Sequence, residues 1–475
     1  MGKLTCDLVV LGAGPGGYAA AFYAADLGRE VVLVDSSDQL GGVCLNRGCI
    51  PSKALIHATS QIDAAMHSQD RGISFGEPTI DLKKLRDWKN NIVGQLGNGV
   101  KALAKQRGIK VIHGKGYFEA EKELRVEQPG EQQFLHFNQC IIAVGSVPAL
   151  PAQFDLGNKR IMTSTEALDL EDIPKSMLVV GAGYIGLELG FVYASLGSEV
   201  TVVEALPGML AGADPDLVRP VMKKAKGSFK DLRFDTKVLK MATKKKQIEV
   251  SFESDNETNK ECYDRVLVAI GRRPNSIDLG LDNAGVKQDD KGYILVDDQL
   301  QSSNPDIFAI GDIIGGTLLA HKAAKESRIA VDIICGTPNH AKNVMIPAVV
   351  FTHPEVAWVG LTEVEAKNTN KNVKIAKFPW TASGRAMSMD DTDGLTKLIV
   401  DPDTNRILGM GIVGPHAGEL ISEGSLAIQM GATVEDLAEV VHPHPTLSET
   451  LMEAAEAHLG HATHIMPAKK RATAS

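Results

Sequence analysis

One pattern occurs twice in this chain, and it constrains the fold more than any other feature. Cys6–Leu11 is a largely apolar, β-branched run that reads as a buried parallel strand. It enters Gly12-Ala13-Gly14-Pro15-Gly16-Gly17, then an alanine-rich helix to Leu27, a turn at Gly28 and a second strand, Val31–Val34, ending at Asp35. From Met177 the order repeats: a strand, Gly181-Ala182-Gly183-Tyr184-Ile185-Gly186, a helix to Leu196, a turn at Gly197 and a strand ending at Glu204. In each copy the acid stands 23 positions after the first glycine. A single GxGxxG is weak evidence. Strand, glycines, helix, strand and terminal acid, in one order and twice, are strong.

The spacing has a physical reading. Gly12 and Gly181 make a tight turn, Gly14 and Gly183 let backbone approach a pyrophosphate, and Gly17 and Gly186 let helix pack on strand. The pyrophosphate then meets a helix N-terminus, whose N–H groups and dipole favour anions. Asp35 and Glu204 accept from ribose hydroxyls. Two dinucleotide sites are predicted. Cys140–Ser146 and Val266–Arg272 are apolar strands ending in glycine turns, each closing its own unit, and Ile307–Asp312 is a third echo. Residues 241–264 read as an exposed hairpin whose lysine run, Lys244–Lys246, is a solvated face. From Ile346 the pattern changes to short β-rich runs followed by helices from Glu419 and Val434, a separate α+β domain. The tail 467–475 has no apolar periodicity and is expected to be disordered. The fold class is α/β: two Rossmann-like dinucleotide-binding domains and a C-terminal α+β domain.

Charge and cysteine content narrow the function. With 50 basic and 59 acidic residues the net charge is −9, which argues against a chain that grips nucleic acid or anionic lipid. Six cysteines are too few for a disulfide-dense secreted scaffold. Leu8–Ala25 is uncharged and could pass for a membrane span or signal peptide, but its central glycines fit strand, turn and helix better. A soluble, cytoplasmic protein is expected.

Cys44 and Cys49 follow the first fingerprint, in Gly41-Gly42-Val43-Cys44-Leu45-Asn46-Arg47-Gly48-Cys49-Ile50-Pro51-Ser52-Lys53. A zinc site wants more ligands than two, and Cys6 and Cys140 show no matching spacing. A redox disulfide needs only the pair; two unrelated buried thiols are the plain alternative. Residues five apart in a regular helix have Cα atoms roughly 8–9 Å apart, and a disulfide wants less than about 7 Å. A bonded pair therefore requires a distorted segment or a helix start, which Gly48 permits.

The segment GGVCLNRGCIPSK after a GxGxxG strand resembles the redox motif of the flavoprotein disulfide reductases, the family of dihydrolipoamide dehydrogenases and glutathione reductases. The resemblance runs from Asp7 to Glu449. It implies FAD in the first unit, held by Gly12, Gly14, Gly17, Asp35, Gly116, Gly145, Asp312 and Ala320. Asp35 departs from the commoner Glu at its place. Lys53 would sit at the flavin edge, paired with Glu188. NAD would use Gly181, Gly183, Gly186, Glu188, Glu204 and Gly271. The implied division is residues 1–150 with 272–346 for FAD, 151–271 for NAD and 347–466 for dimerisation.

His442-Pro443-His444-Pro445-Thr446-Leu447-Ser448-Glu449 is similar to the family's HxHPTxxE. A His with a Glu five positions on, after a proline turn, fits a base held in one tautomer by a carboxylate. The resemblance implies that this pair reaches into the partner's active site, making an obligate homodimer. His444–Pro445 is expected to be cis. By the same resemblance His444, oriented by Glu449, takes a proton from a dithiol. The thiolate attacks the Cys44–Cys49 disulfide at Cys44, and Cys49 faces the flavin.

Glu204 repels a 2′-phosphate and accepts from a free 2′-OH, which favours NAD over NADP and disfavours glutathione-type reductases. The last cysteine, Cys335, leaves no C-terminal redox pair. Residues 378–386 and 351–357 resemble the dihydrolipoamide-oxidising branch of Gram-negative bacteria, and His353, at a variable place, receives no role. That branch implies oxidation of lipoyl arms and partners carrying lipoyl and subunit-binding domains. A reductase of another disulfide, or a docking subunit that binds no flavin, are the competing readings.

Overall fold

Parallel strands covered on both faces need unbroken apolar runs, and the computed structural model places Leu4–Leu11 in the interior of a seven-stranded sheet. The structure describes residues 4–342 and 344–466. The expected disordered tail, 467–475, lies outside them. The chain divides into two compact units, one running to Ile173 and including Leu267–Val344, the other Pro174–Val266 with the chain from Met345.

In the first unit the strand order is Lys110–His113, Val31–Asp35, Leu4–Leu11, Glu131–Ile142, Glu123–Gln128, Lys115–Ala120, with Ile307–Ala309 also on Glu131–Ile142. Leu8–Leu11 pair in parallel with Val31–Val34 and with Gln139–Ile142. The first copy of the predicted strand pair and the strand at 140 thus form one parallel core. Helix Pro15–Asp26 buries Gly16, Gly17, Ala20, Ala21 and Ala24. Small residues let it lie close to its neighbours: a Cβ on Gly16 would stand 3.1 Å from that of Ala323 in helix Ala320–Ile334. The uncharged Leu8–Ala25 stretch is therefore strand, turn and helix. No helix among the described residues is long and apolar enough to cross a membrane.

In the second unit Glu199–Val203 lies between Ser176–Val180 and Asp231–Arg233, parallel to both. The expected hairpin is a three-stranded antiparallel sheet, Lys237–Lys244, Gln247–Ser254 and Glu257–Tyr263. Its turns fall at Lys245 and at Asp255-Asn256, all with positive φ. The C-terminal region forms a five-stranded antiparallel sheet in the order Ala348–Val350, Glu355–Gly360, Ile407–Gly414, Leu395–Val400, Lys374–Pro379. Helices Ala417–Met430, Val434–Glu439 and Glu449–Leu459 follow, and Trp380, Phe378, Ile421, Leu437 and Leu451 share its core.

Within this unit Lys397 is 1% exposed, its Nζ 2.7 Å from Asp214, 2.7 Å from Asp216 and 3.3 Å from Glu363. Asp214 also accepts the N–H groups of Glu363 and Val364 at 2.9 and 3.0 Å. The three carboxylates stand close enough to hold a metal ion, but a lysine ammonium occupies their centre.

Candidate active site

The two fingerprints are built alike, residue for residue. Gly12 and Gly181 have φ of +102° and +105°, a region costly for any side chain. A Cβ on Gly17 would stand 1.7 Å from the Gly12 carbonyl oxygen, and one on Gly186 2.0 Å from that of Gly181. Gly14 and Gly183 are the extended residues at which helices Pro15–Asp26 and Tyr184–Ser195 begin. Asp35 accepts the N–H of Ala13 and, at 2.7 Å, that of Ser37. Glu204 accepts the N–H of Ala182 at 2.7 Å and of Leu206 at 2.9 Å. Each strand-end acid is thus fixed by the glycine turn it faces. Burial pushes the Asp35 carboxyl above its ordinary value, against those N–H groups and the charge of Arg47.

The cysteines lie where the helix breaks. Helix Gly42–Arg47 carries Cys44, Gly48 adopts φ −147° and ψ −110°, and a new helix, Cys49–His67, starts at Cys49. A Cβ on Gly48 would crowd the Val43 carbonyl oxygen at 3.0 Å and the Cys44 Cα at 3.3 Å. The segment is therefore broken in the way that a close cysteine pair demands. As a dithiol, Cys44 is hydrogen-bonded to Cys49, which with burial drives its thiol far above the usual range; Lys53 opposes this. Cys49, in the first turn of its helix, is exposed and receives that helix's dipole.

The other predicted FAD residues fall around the same unit. Asp312 accepts from Ser146 Oγ, with Arg272 Nε 3.9 Å away. Ala320 is the first residue of its helix. Gly145 has φ +70° and room around it, whereas Gly116 is buried in a strand with Leu11 2.6 Å from where a Cβ would stand. Lys53 lies one turn after Cys49 on the same helix. In the second unit Glu188 is buried in helix Tyr184–Ser195 and accepts the Phe351 N–H at 3.0 Å. Gly271, expected at the NAD site, falls in the first unit, exposed with φ +126°, its carbonyl accepting the Ala149 N–H at 3.0 Å.

His444 is exposed, and its Nδ1 stands 2.9 Å from Glu449 Oε1. Glu449 Oε2 accepts the Thr446 N–H at 2.8 Å. The His444–Pro445 bond is cis, as expected, and so is His353–Pro354. Burial pushes the Glu449 carboxyl up, but the Thr446 N–H and His444 outweigh it and leave it below its ordinary value.

Residues 6–327 match the profile of the pyridine nucleotide-disulphide oxidoreductases, and residues 346–455 match that family's dimerisation domain. The chain belongs to the pyridine nucleotide-disulphide oxidoreductase family. Within it, the chain is 45% identical over 469 residues to a dihydrolipoyl dehydrogenase of Vibrio parahaemolyticus, with 98% of each chain covered. It is 44% identical over 462 residues to that of Geobacillus stearothermophilus, with 97% of each covered. Among solved structures, the HOCl-induced flavoprotein disulfide reductase RclA of Escherichia coli superposes with TM-score 0.86 at 28% identity, over 96% of this chain and 99% of that one. LpdA of Mycobacterium tuberculosis superposes with TM-score 0.86 at 27% identity, over 95% and 99%.

The family uses FAD and NAD(H). The two glycine cradles, which a Cβ would fill, and the two fixed carboxylates fit both dinucleotides. Three features were not read from sequence. Tyr18, in the first-fingerprint helix, lies near enough to both cysteines that burial and their charge raise its phenol. Glu326 accepts the Gly311 N–H at 2.7 Å and pairs with Lys322 at 2.7 Å, a buried ion pair beside Asp312. His442, two residues before His444, makes its own carboxylate contact with Glu423 at 2.8 Å. Only His442 had a signal, its place within the HxHPTxxE motif.

Proposed function

We propose that this chain oxidises protein-bound dihydrolipoyl groups to the disulfide and delivers the electrons to NAD, as a homodimer in the cytoplasm. Its partners would be the lipoyl and subunit-binding domains of 2-oxo acid dehydrogenase or glycine-cleavage complexes. The observation that carries the reading is the cysteine pair at a helix break together with the His444–Glu449 dyad, in a chain that dihydrolipoyl dehydrogenases match end to end.

Glu449 accepts from Nδ1–H of His444 and leaves Nε2 with its lone pair for the substrate. His444 takes the proton of one substrate thiol. The thiolate attacks Cys44 Sγ in the oxidised pair, the Cys44–Cys49 bond breaks, and Cys49 leaves as a thiolate at its helix start. The second substrate thiol attacks the substrate sulfur of the mixed disulfide, the Cys44–substrate bond breaks, and its proton passes to the leaving Cys44 while the first proton stays on His444. The lipoyl disulfide departs and Cys44 is left reduced. Two electrons and two protons have passed from substrate to enzyme. The first fingerprint would hold FAD and the second NAD, and the flavin when bound would supply the electron transfer between this dithiol and the nicotinamide. Glu204 favours NAD by accepting from a 2′-OH and repelling a 2′-phosphate.

The test is NADH formation from NAD and dihydrolipoamide beside NADPH oxidation with glutathione disulfide, on the purified yellow dimer. Fast turnover in the first assay alone supports the proposal. Silence there with flavin bound retains the disulfide chemistry and assigns another disulfide substrate. A colourless protein assigns a docking subunit.

A further inference from the structure

The loop that carries His444 is held from two sides. On one side Thr446 joins it to helix Glu449–Leu459: its N–H reaches Glu449, and its hydroxyl bonds the Pro443 carbonyl at 2.7 Å and Ser448 at 2.8 Å. On the other side stands His442, whose side chain is 3% exposed although that of His444 is 76% exposed. Its Nδ1 lies 2.9 Å from the Val440 carbonyl oxygen and its Nε2 2.8 Å from Glu423 Oε1, on helix Ala417–Met430. Both partners are acceptors, so both ring nitrogens carry protons. The ring is an imidazolium, fully used in holding backbone to helix, with no lone pair for chemistry.

We propose that His442 and Glu423 are positioning residues for dithiol oxidation: their ion pair clamps the His444 loop to helix Ala417–Met430 and fixes where the base stands. The inference rests on the reading of His444 as the base. Charge matters as well as shape. The groups that face His442 are Glu423 from one helix and Glu449 from the next, and Glu449 is in turn flanked by His444 and His464. Removing the imidazolium alone leaves the Glu423 carboxylate uncompensated next to the loop that carries the base.

Three variants of the whole enzyme test this: His442→Gln, Glu423→Gln and the two combined. Misplacing a catalytic group by up to about 1 Å costs roughly 10- to 100-fold. His442→Gln is therefore expected to lower kcat with dihydrolipoamide by that order while KM for NAD holds. NADH oxidation by ferricyanide, which needs flavin and not the base, should hold too, as should flavin content. The acid limb of kcat/KM against pH should move to higher pH in His442→Gln. In the double variant it should return, because both charges are gone, while the loss in kcat remains. A role in folding alone would lower the ferricyanide rate and the flavin content in parallel and would leave the pH limb in place; that result overturns the proposal. Glu423→Gln keeps the shape and an acceptor, so it decides the matter if His442→Gln does not fold: unchanged dihydrolipoamide turnover in Glu423→Gln overturns the clamp. The two readings separate through His444→Gln. If that variant is inactive while His442→Gln and Glu423→Gln turn over normally, only the clamp fails. If it remains active, the base assignment itself fails.

Discussion

Nδ1 of His444 and Oε1 of Glu449 are 2.9 Å apart, and the other carboxylate oxygen is held by the Thr446 N–H at 2.8 Å. The carboxylate is thus fixed before it fixes the ring, and the imidazole it orients presents Nε2 outward. His444→Gln should fold and retain flavin but lose dihydrolipoamide oxidation by about 10²–10⁴-fold, the usual contribution of a positioned base. Steady-state kinetics beside a flavin absorbance spectrum give both numbers. Near-normal turnover would take His444 out of the mechanism.

Much of this was legible in the residue order because the motifs are local. Each fingerprint is completed within one strand–helix–strand unit, and the Gly48 break follows from the reach of a disulfide. The His444–Glu449 pair spans five residues across one turn. What escaped notice joins segments far apart in sequence. Glu423 meets His442 only because helix Ala417–Met430 packs beside the loop, and Lys397 meets Asp214 only through the folding of the whole second unit. Hydrophobic periodicity reports which face a residue presents, and carries no information on which distant partner that face will meet.

Replacing Glu204 tests the choice of nucleotide. Its two oxygens already accept from Ala182 and Leu206, which places the carboxylate at the end of its strand. Glu204→Arg removes the acceptor for a ribose hydroxyl and adds a cation for a phosphate. kcat/KM for NAD should fall roughly 10- to 100-fold, the value of a hydrogen bond to a charged group, while that for NADP rises. An unchanged NAD-to-NADP ratio would sink the ribose assignment.

The twin glycine cradles predict separable losses. In Gly17→Ala the new methyl would overlap the Gly12 carbonyl, so helix Pro15–Asp26 must move away from its strand. Flavin should be lost on gel filtration, read as the 450 nm to 280 nm absorbance ratio. In Gly186→Ala the same clash falls on Gly181, and the protein should stay yellow while NAD saturation weakens. A yellow Gly17→Ala protein with normal flavin content would show that the first cradle is not where FAD is held.

Lys397 supplies the last prediction, and it concerns stability. Its ammonium is buried between Asp214, Asp216 and Glu363, and Lys397→Met would leave those carboxylates facing one another. Removing one partner of a buried pair costs about 3–5 kcal/mol, because the remaining charge is uncompensated. Guanidinium unfolding followed by far-UV circular dichroism should report a loss of that order near neutral pH. The sign with pH follows from the carboxylates. Burial raises Asp216, but its bonds to Lys377 and Lys397 win and hold it below its ordinary value; Glu363, bonded first to Lys367 and then helped by Lys397, also lies below its ordinary value. Groups depressed in the folded state contribute stability above their unfolded values and lose it as pH falls through the folded ones. The gap between wild type and Lys397→Met should therefore be full at pH 6–7, where the acids are ionised in both states. It should narrow as pH falls toward and then below about 4, since the mutually repelling carboxylates of the variant take up protons at higher pH than the depressed ones of the wild type. A gap that stays constant down to acid pH would mean that Lys397 contributes by packing and not by charge.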